Sequence, residues 1–292
     1  MSGALTGPRA GLALYDQAAA DAAATVIARY STSFGLACRL LGPRPRPHVR
    51  TVYALVRVAD EVVDGPAEEA GLSADAAGEV LDELEQETLA AIERGFSANL
   101  IVHAFASTAR ECAIGPDLIR PFFASMRTDL RTRSHDAASH DSYVYGSAEV
   151  VGLMCLQVFV NAGAEHPVAP SPELVDGARR LGAAFQDVNF LRDLKHDEDV
   201  LGRDYLGLSA DGERAVVLDR IDADLAIAAR AIPALPADCR RAVTAAHDLF
   251  AELAARLRAS DRADARVRVP DTVKARLAAR ALLGFAPREV RA

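Results

Sequence analysis

Along the segment from His48 to Asp64, the apolar residues Val49, Val52, Tyr53, Val56 and either Ala59 or Val63 recur every three or four positions. That is the spacing of one buried helix face. Alanine, leucine and arginine dominate the chain, and β-branched runs alternating cleanly with polar residues are missing, so helices are favoured over strands throughout. The residues before about Ala13 read as frayed. Helices are predicted over roughly Asp16 to Tyr30, Ser33 to the proline-rich breaker Gly42-Pro43-Arg44-Pro45-Arg46-Pro47, and His48 to Asp64 before Gly65-Pro66. Further helices are expected over about Asp75 to Arg94, Asn99 to Cys112, Pro116 to Thr132 and Asp141 to Ala162. The last four are Pro172 to His196, Gly212 to Ile232, Pro236 to Ala259 and Pro270 to Leu283. Neither an internal repeat nor a long low-complexity linker interrupts them. The fold class predicted is all-α, as a single domain over residues 16–285 behind a frayed segment 1–15.

Composition narrows the function classes. With 292 residues, 50% hydrophobic and 25% charged, the chain can bury a large core, which removes disordered and disulfide-scaffold readings. The net charge of -8 disfavours nucleic acid as a partner, because phosphate binding needs a basic stripe. Cys38, Cys112, Cys155 and Cys239 form no CxxC pair and read as buried small hydrophobes in a reducing cytosol. The N-terminus lacks a signal-peptide core. The most apolar stretch, Val150 to Val160, is about half the ~20 residues of a membrane span. A cytoplasmic protein is expected, with peripheral contact to a membrane left open.

Two polar stripes break the ordinary helix pattern. Beside the apolar face of the His48–Asp64 helix runs the row Val49, Tyr53, Arg57, Asp60, Asp64, with Glu61 adjoining. Asp60 and Asp64 stand one above the other, about 6 Å apart by helix geometry. Acid at a helix C-terminus opposes the macrodipole. Either a solvated last turn or a divalent-cation site fits that pattern. On the helix from Pro172, Leu181, Phe185, Val188 and Leu191 form an apolar face. A neighbouring row carries Gln186, Asn189, Asp193 and Asp197, with Arg192 at its flank and Arg203 beyond. This row is either a solvated stripe or a set of oxygen ligands. Facing each other across a bundle, the two stripes could hold hard cations, and the arginines beside them suit a diphosphate.

Several segments in order carry a family resemblance. They are Asp60-Glu61-Val62-Val63-Asp64 with Arg57 before it, then Met126 and Asp129, then Tyr143-Val144-Tyr145-Gly146-Ser147-Ala148-Glu149-Val150-Val151-Gly152-Leu153-Met154. Gln186-Asp187-Val188-Asn189-Phe190-Leu191-Arg192-Asp193-Leu194-Lys195-His196-Asp197 fits QxxNxxRDxxxD, Gly202-Arg203-Asp204-Tyr205-Leu206 follows, and Arg266-Val267-Arg268-Val269 comes last. Over roughly Tyr30 to Lys274 the chain resembles the squalene/phytoene synthase family, the head-to-head branch of the trans-isoprenyl diphosphate synthases. The resemblance implies an all-α bundle around a central cavity. Asp60, Asp64, Asn189, Asp193 and Asp197 would hold Mg²⁺ or Mn²⁺ at its mouth. Arg57, Arg192 and Arg203 would hold diphosphate, and Arg266 would contact the substrate. Ser33, Gln186 and Tyr143 would line the reaction centre, with Tyr143 guiding proton transfer.

The implied substrate is a C10–C20 isoprenyl diphosphate, ionised to an allylic cation and coupled to a second one. Prenyl transfer to a non-isoprenoid acceptor, such as an aromatic ring, is the alternative. The chain departs from the family pattern at two places. Thr32 in Ser31-Thr32-Ser33-Phe34 replaces a cation, which puts the second donor site in doubt. Glu149 replaces a glycine. On an α-helix Glu149 shares a face with Tyr145, Gly152 and Leu156, so it is expected at the cavity, as a base or acceptor contact in the alternative reaction. No GxGxxG follows a strand, so a reductive second step is not supported. Oligomeric state and prenyl chain length stay open.

Overall fold

A computed structural model describes residues 10–31, 33–132, 136–196, 211–260 and 267–289. Every regular element among these residues is helical. The elements are α1 (Ala10–Tyr30), α2 (Ser33–Arg39), α3 (Pro45–Val63), α4 (Pro66–Glu69), α5 (Ala74–Arg94), α6 (Leu100–Cys112) and α7 (Pro116–Asp129). After them come α8 (Ala137–Val144), a π turn (Tyr145–Glu149), α9 (Val150–Asn161), α10 (Pro172–His196), α11 (Asp211–Ala231), α12 (Ala237–Arg258) and α13 (Asp271–Leu282).

Most of the expected boundaries fall within a few residues of these ends, because the stop signals are local. Pro45 starts α3, and Gly65, at φ 125°, ends it in a conformation that disfavours side chains. Ser73 and Asn99 cap α5 and α6 through their side-chain oxygens. Asp136 and Ser139 form a reciprocal capping box that starts α8. Two expectations need correction. The N-terminal helix begins at Ala10, inside the segment read as frayed, and the Tyr15 hydroxyl donates to the Ser97 carbonyl at 2.9 Å to tie it down. The helix expected from Asp141 starts at Ala137 and contains the π turn.

The core has two parts. Helices α3, α5, α6, α7 and α9 enclose Leu55, Leu81, Phe105, Phe122, Phe123 and Met154, all buried. Helices α10, α11 and α12 enclose Val188, Ile221, Leu225, Leu253 and Leu257. Helix α10 touches the π turn, α9, α11 and α12, and so joins the two parts. Small residues allow the close approach. A Cβ on Gly152 would lie 2.6 Å from the Ala178 carbonyl oxygen, and one on Gly182 would lie 2.7 Å from that of Ala148. The run Ser139–Asn161 is long and apolar enough to cross a bilayer by composition, yet it packs against α3, α7 and α10 within the bundle.

At the end of the bundle away from the acidic motifs, Arg44 clasps three elements. Its guanidinium donates to both Asp238 oxygens at 2.9 Å, to the Ala162 carbonyl at 2.9 Å and to the Phe159 carbonyl at 2.8 Å. The α2–α3 breaker is thereby fixed to the end of α9 and the start of α12.

Candidate active site

Between α3, α9, α10 and α12 lies a cavity of about 510 Å³, a size usual for a ligand site. Three helical runs descend along its wall. On α3 the lining residues go from Asp64 through Asp60 and Arg57 to Val56 and Val49. On α10 they go from Asp193 through Asn189 and Gln186 to Phe185, Ala178 and Leu174. On the α8–α9 run they go from Tyr143 through Ser147 and Val151 to Cys155 and Phe159. One end is therefore polar and the other apolar, in the order the heptad-like spacing of each helix imposes. Phe185 and Phe250 stack at 3.7 Å between ring centroids on the wall shared by α10 and α12.

The polar rim brings together Arg57, Asp60, Asp64, Tyr143, Gln186, Asn189, Arg192 and Asp193, eight of the residues singled out from sequence. The Asp60 carboxyl is pushed up to about 7, first by burial, then by the negative charge of Asp64 and Asp129, with Arg57 opposing. The Asp60 carboxyl is thus held partly neutral by burial and by the acids around it. Arg57 is ion-paired with Glu61, and its guanidinium lies 4.8 Å from the Tyr30 ring centre. The Arg192 Nε faces both oxygens of Asp193 at 3.1 Å. Among the described residues, no three acidic, imidazole or thiol groups stand close enough to chelate one ion by themselves. Few protein carboxylates completed by water and phosphate oxygens is the coordination Mg²⁺ prefers, and the Asp60–Asp64 pair with Asp193 and the Asn189 amide across the rim fit it.

Tyr143 is buried, and its hydroxyl donates to Asp129 Oδ2 at 2.8 Å. Asp129 itself lines the cavity, although it drew no role from sequence. Its signal was the one that marked Asp60 and Asp64, an acid ending a helix against the macrodipole. Asp197, Arg203 and Arg266 lie outside the described residues, as does Thr32. Ser33 begins α2, and only its backbone is described.

Glu149 requires a correction. It does not line the cavity. Its Oε2 accepts from Arg179 Nε at 2.6 Å, and the Arg179 guanidinium also lies 5.4 Å from the Tyr145 ring centre. Of the face formed by residues 145, 149, 152 and 156, only Gly152 and Leu156 reach the cavity. The cause is the π turn, which spends one extra residue and rotates the preceding side chains relative to those after it. Ser147 and Tyr143 come into line with Val151, while Tyr145 and Glu149 turn toward α10.

The back of α10 holds a second charged group that the motif reading passed over. Asp187, 1% exposed, accepts from Arg220 on α11 at 2.9 Å, and its other oxygen lies 3.2 Å from His140 Nε2 on α8. Two turns earlier, Arg180 meets Asp224 at 3.2 Å. The paired charges key the rotation of α10 to its neighbours. Phe190 packs against both His140 and Tyr143, with centroids 6.1 and 6.0 Å away.

An all-α bundle with carboxylates and arginines ringing one end of an apolar cavity defines an isoprenoid-synthase type of protein. Residues 27–210 match the family model for squalene/phytoene synthase, and the chain belongs to that family. It is 32% identical to a 15-cis-phytoene synthase of Synechocystis over 63% of this chain and 54% of that one. It is 30% identical to a 15-cis-phytoene synthase of Paracoccus over 80% of each. The match spans only about half the length of several curated relatives, such as 43% of phytoene synthase 1 of Solanum lycopersicum. A dehydrosqualene synthase structure superposes with a TM-score of 0.75 at 22% identity, covering 92% of this chain and 97% of the other. A squalene synthase from Alicyclobacillus acidocaldarius gives 0.71 at 20% identity, over 84% and 95%.

Proposed function

We propose that this protein couples two isoprenyl diphosphates head-to-head, as a phytoene- or squalene-type synthase. One observation carries the reading: Asp60 and Asp64 with Arg57, and Asn189 and Asp193 with Arg192, line the rim of one apolar cavity. Asp60, Asp64, Asn189 and Asp193 are the residues that would hold Mg²⁺, which when bound neutralises charge on the departing diphosphate. Arg57 and Arg192 exchange their carboxylate partners for phosphate oxygens. The donor's C1–O bond breaks and its electron pair leaves with the diphosphate. The apolar wall below Gln186 keeps water from the allylic cation. The double bond of the second chain attacks that cation, and a proton is lost as the cyclopropane closes. Tyr143, held by Asp129, is the group that guides this proton to the rim. Loss of the second diphosphate and a further proton completes phytoene-type coupling.

Transfer to a non-isoprenoid acceptor drew support from Thr32, which lies outside the described residues, and from Glu149 at the cavity, and the Arg179 pair removes the second. The test is incubation of the protein with Mg²⁺ and C10, C15 or C20 diphosphate, followed by mass spectrometry. The expected products are inorganic diphosphate and a hydrocarbon of twice the carbon number. Diphosphate release without a dimeric carbon skeleton would refute head-to-head coupling.

A further inference from the structure

Ser147 sits in the cavity wall within the π turn, and neither acidic motif uses it. Its Oγ is buried and meets no hydrogen-bond partner among the described residues. Within an α-helix a serine hydroxyl ordinarily returns to the carbonyl four residues back. Here that carbonyl, of Tyr143, receives the Ser125 hydroxyl at 3.1 Å. The turn is also anchored from behind, since a Cβ on Gly146 would lie 2.4 Å from the Pro121 carbonyl oxygen. The backbone therefore cannot swing to give the hydroxyl a protein partner. A buried hydroxyl left unsatisfied is costly, and in a cavity it marks the place of a ligand oxygen.

Depth decides which oxygen. Tyr143, bonded to Asp129, belongs to the polar rim, and Val151 and Cys155 belong to the apolar wall. Ser147 lies between them, about one helical turn or ~5 Å below Tyr143. Across the cavity Gln186 holds the same position below Asn189. That level is where a prenyl chain joins its diphosphate, with the phosphates at the rim and the hydrocarbon below.

We propose that Ser147 Oγ donates a hydrogen bond to the ester oxygen linking C1 of a bound prenyl chain to its diphosphate. The assignment rests on the prenyl diphosphate reading above. When the C1–O bond breaks, the electron pair goes to that oxygen, which becomes a stronger acceptor of the hydroxyl's hydrogen bond as charge develops.

The test uses two saturated C15 diphosphates that cannot ionise, one with the natural ester oxygen and one with sulfur in its place, a weak acceptor. Binding of each is measured calorimetrically with Mg²⁺ to the full chain and to the Ser147→Ala and Ser147→Thr variants. The parent protein is expected to favour the oxygen compound about fivefold, which is about 1 kcal/mol. Ser147→Ala should bind both equally, with its affinity for the sulfur compound unchanged, and Ser147→Thr should keep the preference. An oxygen preference undiminished in Ser147→Ala overturns the assignment. So does an equal loss for both compounds, which reports a damaged cavity, or no preference in the parent, which reports a held water. Failure of the parent to bind either compound overturns the prenyl diphosphate reading and this contact with it.

Discussion

Truncating Arg220 to alanine should destabilise the protein by about 3 kcal/mol. The pair it breaks is buried on one side only. Asp187 is 1% exposed, and its Oδ2 receives the Arg220 Nε at 2.9 Å and a terminal nitrogen at 2.8 Å. Removing one partner of a fully buried pair costs about 3–5 kcal/mol, mostly because the other charge is left without compensation. The Arg220 side chain is itself 41% exposed, so water enters where it leaves, and the lower end applies. His140 Nε2 lies 3.2 Å from the other Asp187 oxygen without a hydrogen bond between them. Asp187→Asn alone should cost about 1 kcal/mol, since the amide keeps an acceptor without the charge. The double variant should cost less than the sum by about 2 kcal/mol, because the residual charge penalty has gone. Equilibrium urea unfolding of the four proteins, followed by circular dichroism, measures each value. An Arg220→Ala protein within about 0.5 kcal/mol of the parent, or strict additivity in the cycle, would refute the claim that this pair keys α10 to α11.

Three further outcomes are expected. Arg44 holds the Asp238 carboxyl below the usual carboxylate range through its hydrogen bond, so this group contributes stability above the ordinary value of about 4 and loses it as pH falls through its depressed folded value. Arg44→Met should therefore be less stable at pH 7, with the gap narrowing in acid; a pH-independent gap in urea midpoints contradicts this. Asp60→Asn should raise the thermal midpoint of the metal-free protein at pH 8, where the parent must ionise a carboxyl pushed up to about 7, and should abolish the stabilisation given by Mg²⁺ with inorganic diphosphate. Scanning calorimetry in which the variant still responds to that mixture removes Asp60 from the metal site. Glu149→Ala loses an ion pair whose Arg179 side is 46% exposed, so its cost should stay below about 1 kcal/mol with the product profile unchanged. A new product by mass spectrometry would return Glu149 to the cavity.

Local chemistry wrote most of the fold into the sequence. Helix ends depend on Pro45, Gly65, Asn99 and the other caps, whose effects reach only one turn, so they can be read without knowing what packs where. The two acidic stripes were legible for the same reason, since spacings of three and four place Asp60 above Asp64 and Asn189 above Asp193 whatever surrounds them. Their facing each other across one cavity was not local. It depends on α10 approaching the α8–α9 run at Gly152 and Gly182, a contact between residues far apart in the chain. Glu149 shows the limit most clearly. Uniform helical periodicity aims it at the cavity, but a single π turn, anchored where Gly146 presses on α7, shifts the face by one residue and gives that place to Ser147. Asp187 stood within the motif as one more acid, and only the packing of α8 and α11 around α10 made it the buried partner of Arg220. Sequence determines which side chains share a face, because that follows from backbone geometry. Tertiary structure decides what each face meets, because burial and charge pairing arise only when distant elements come together.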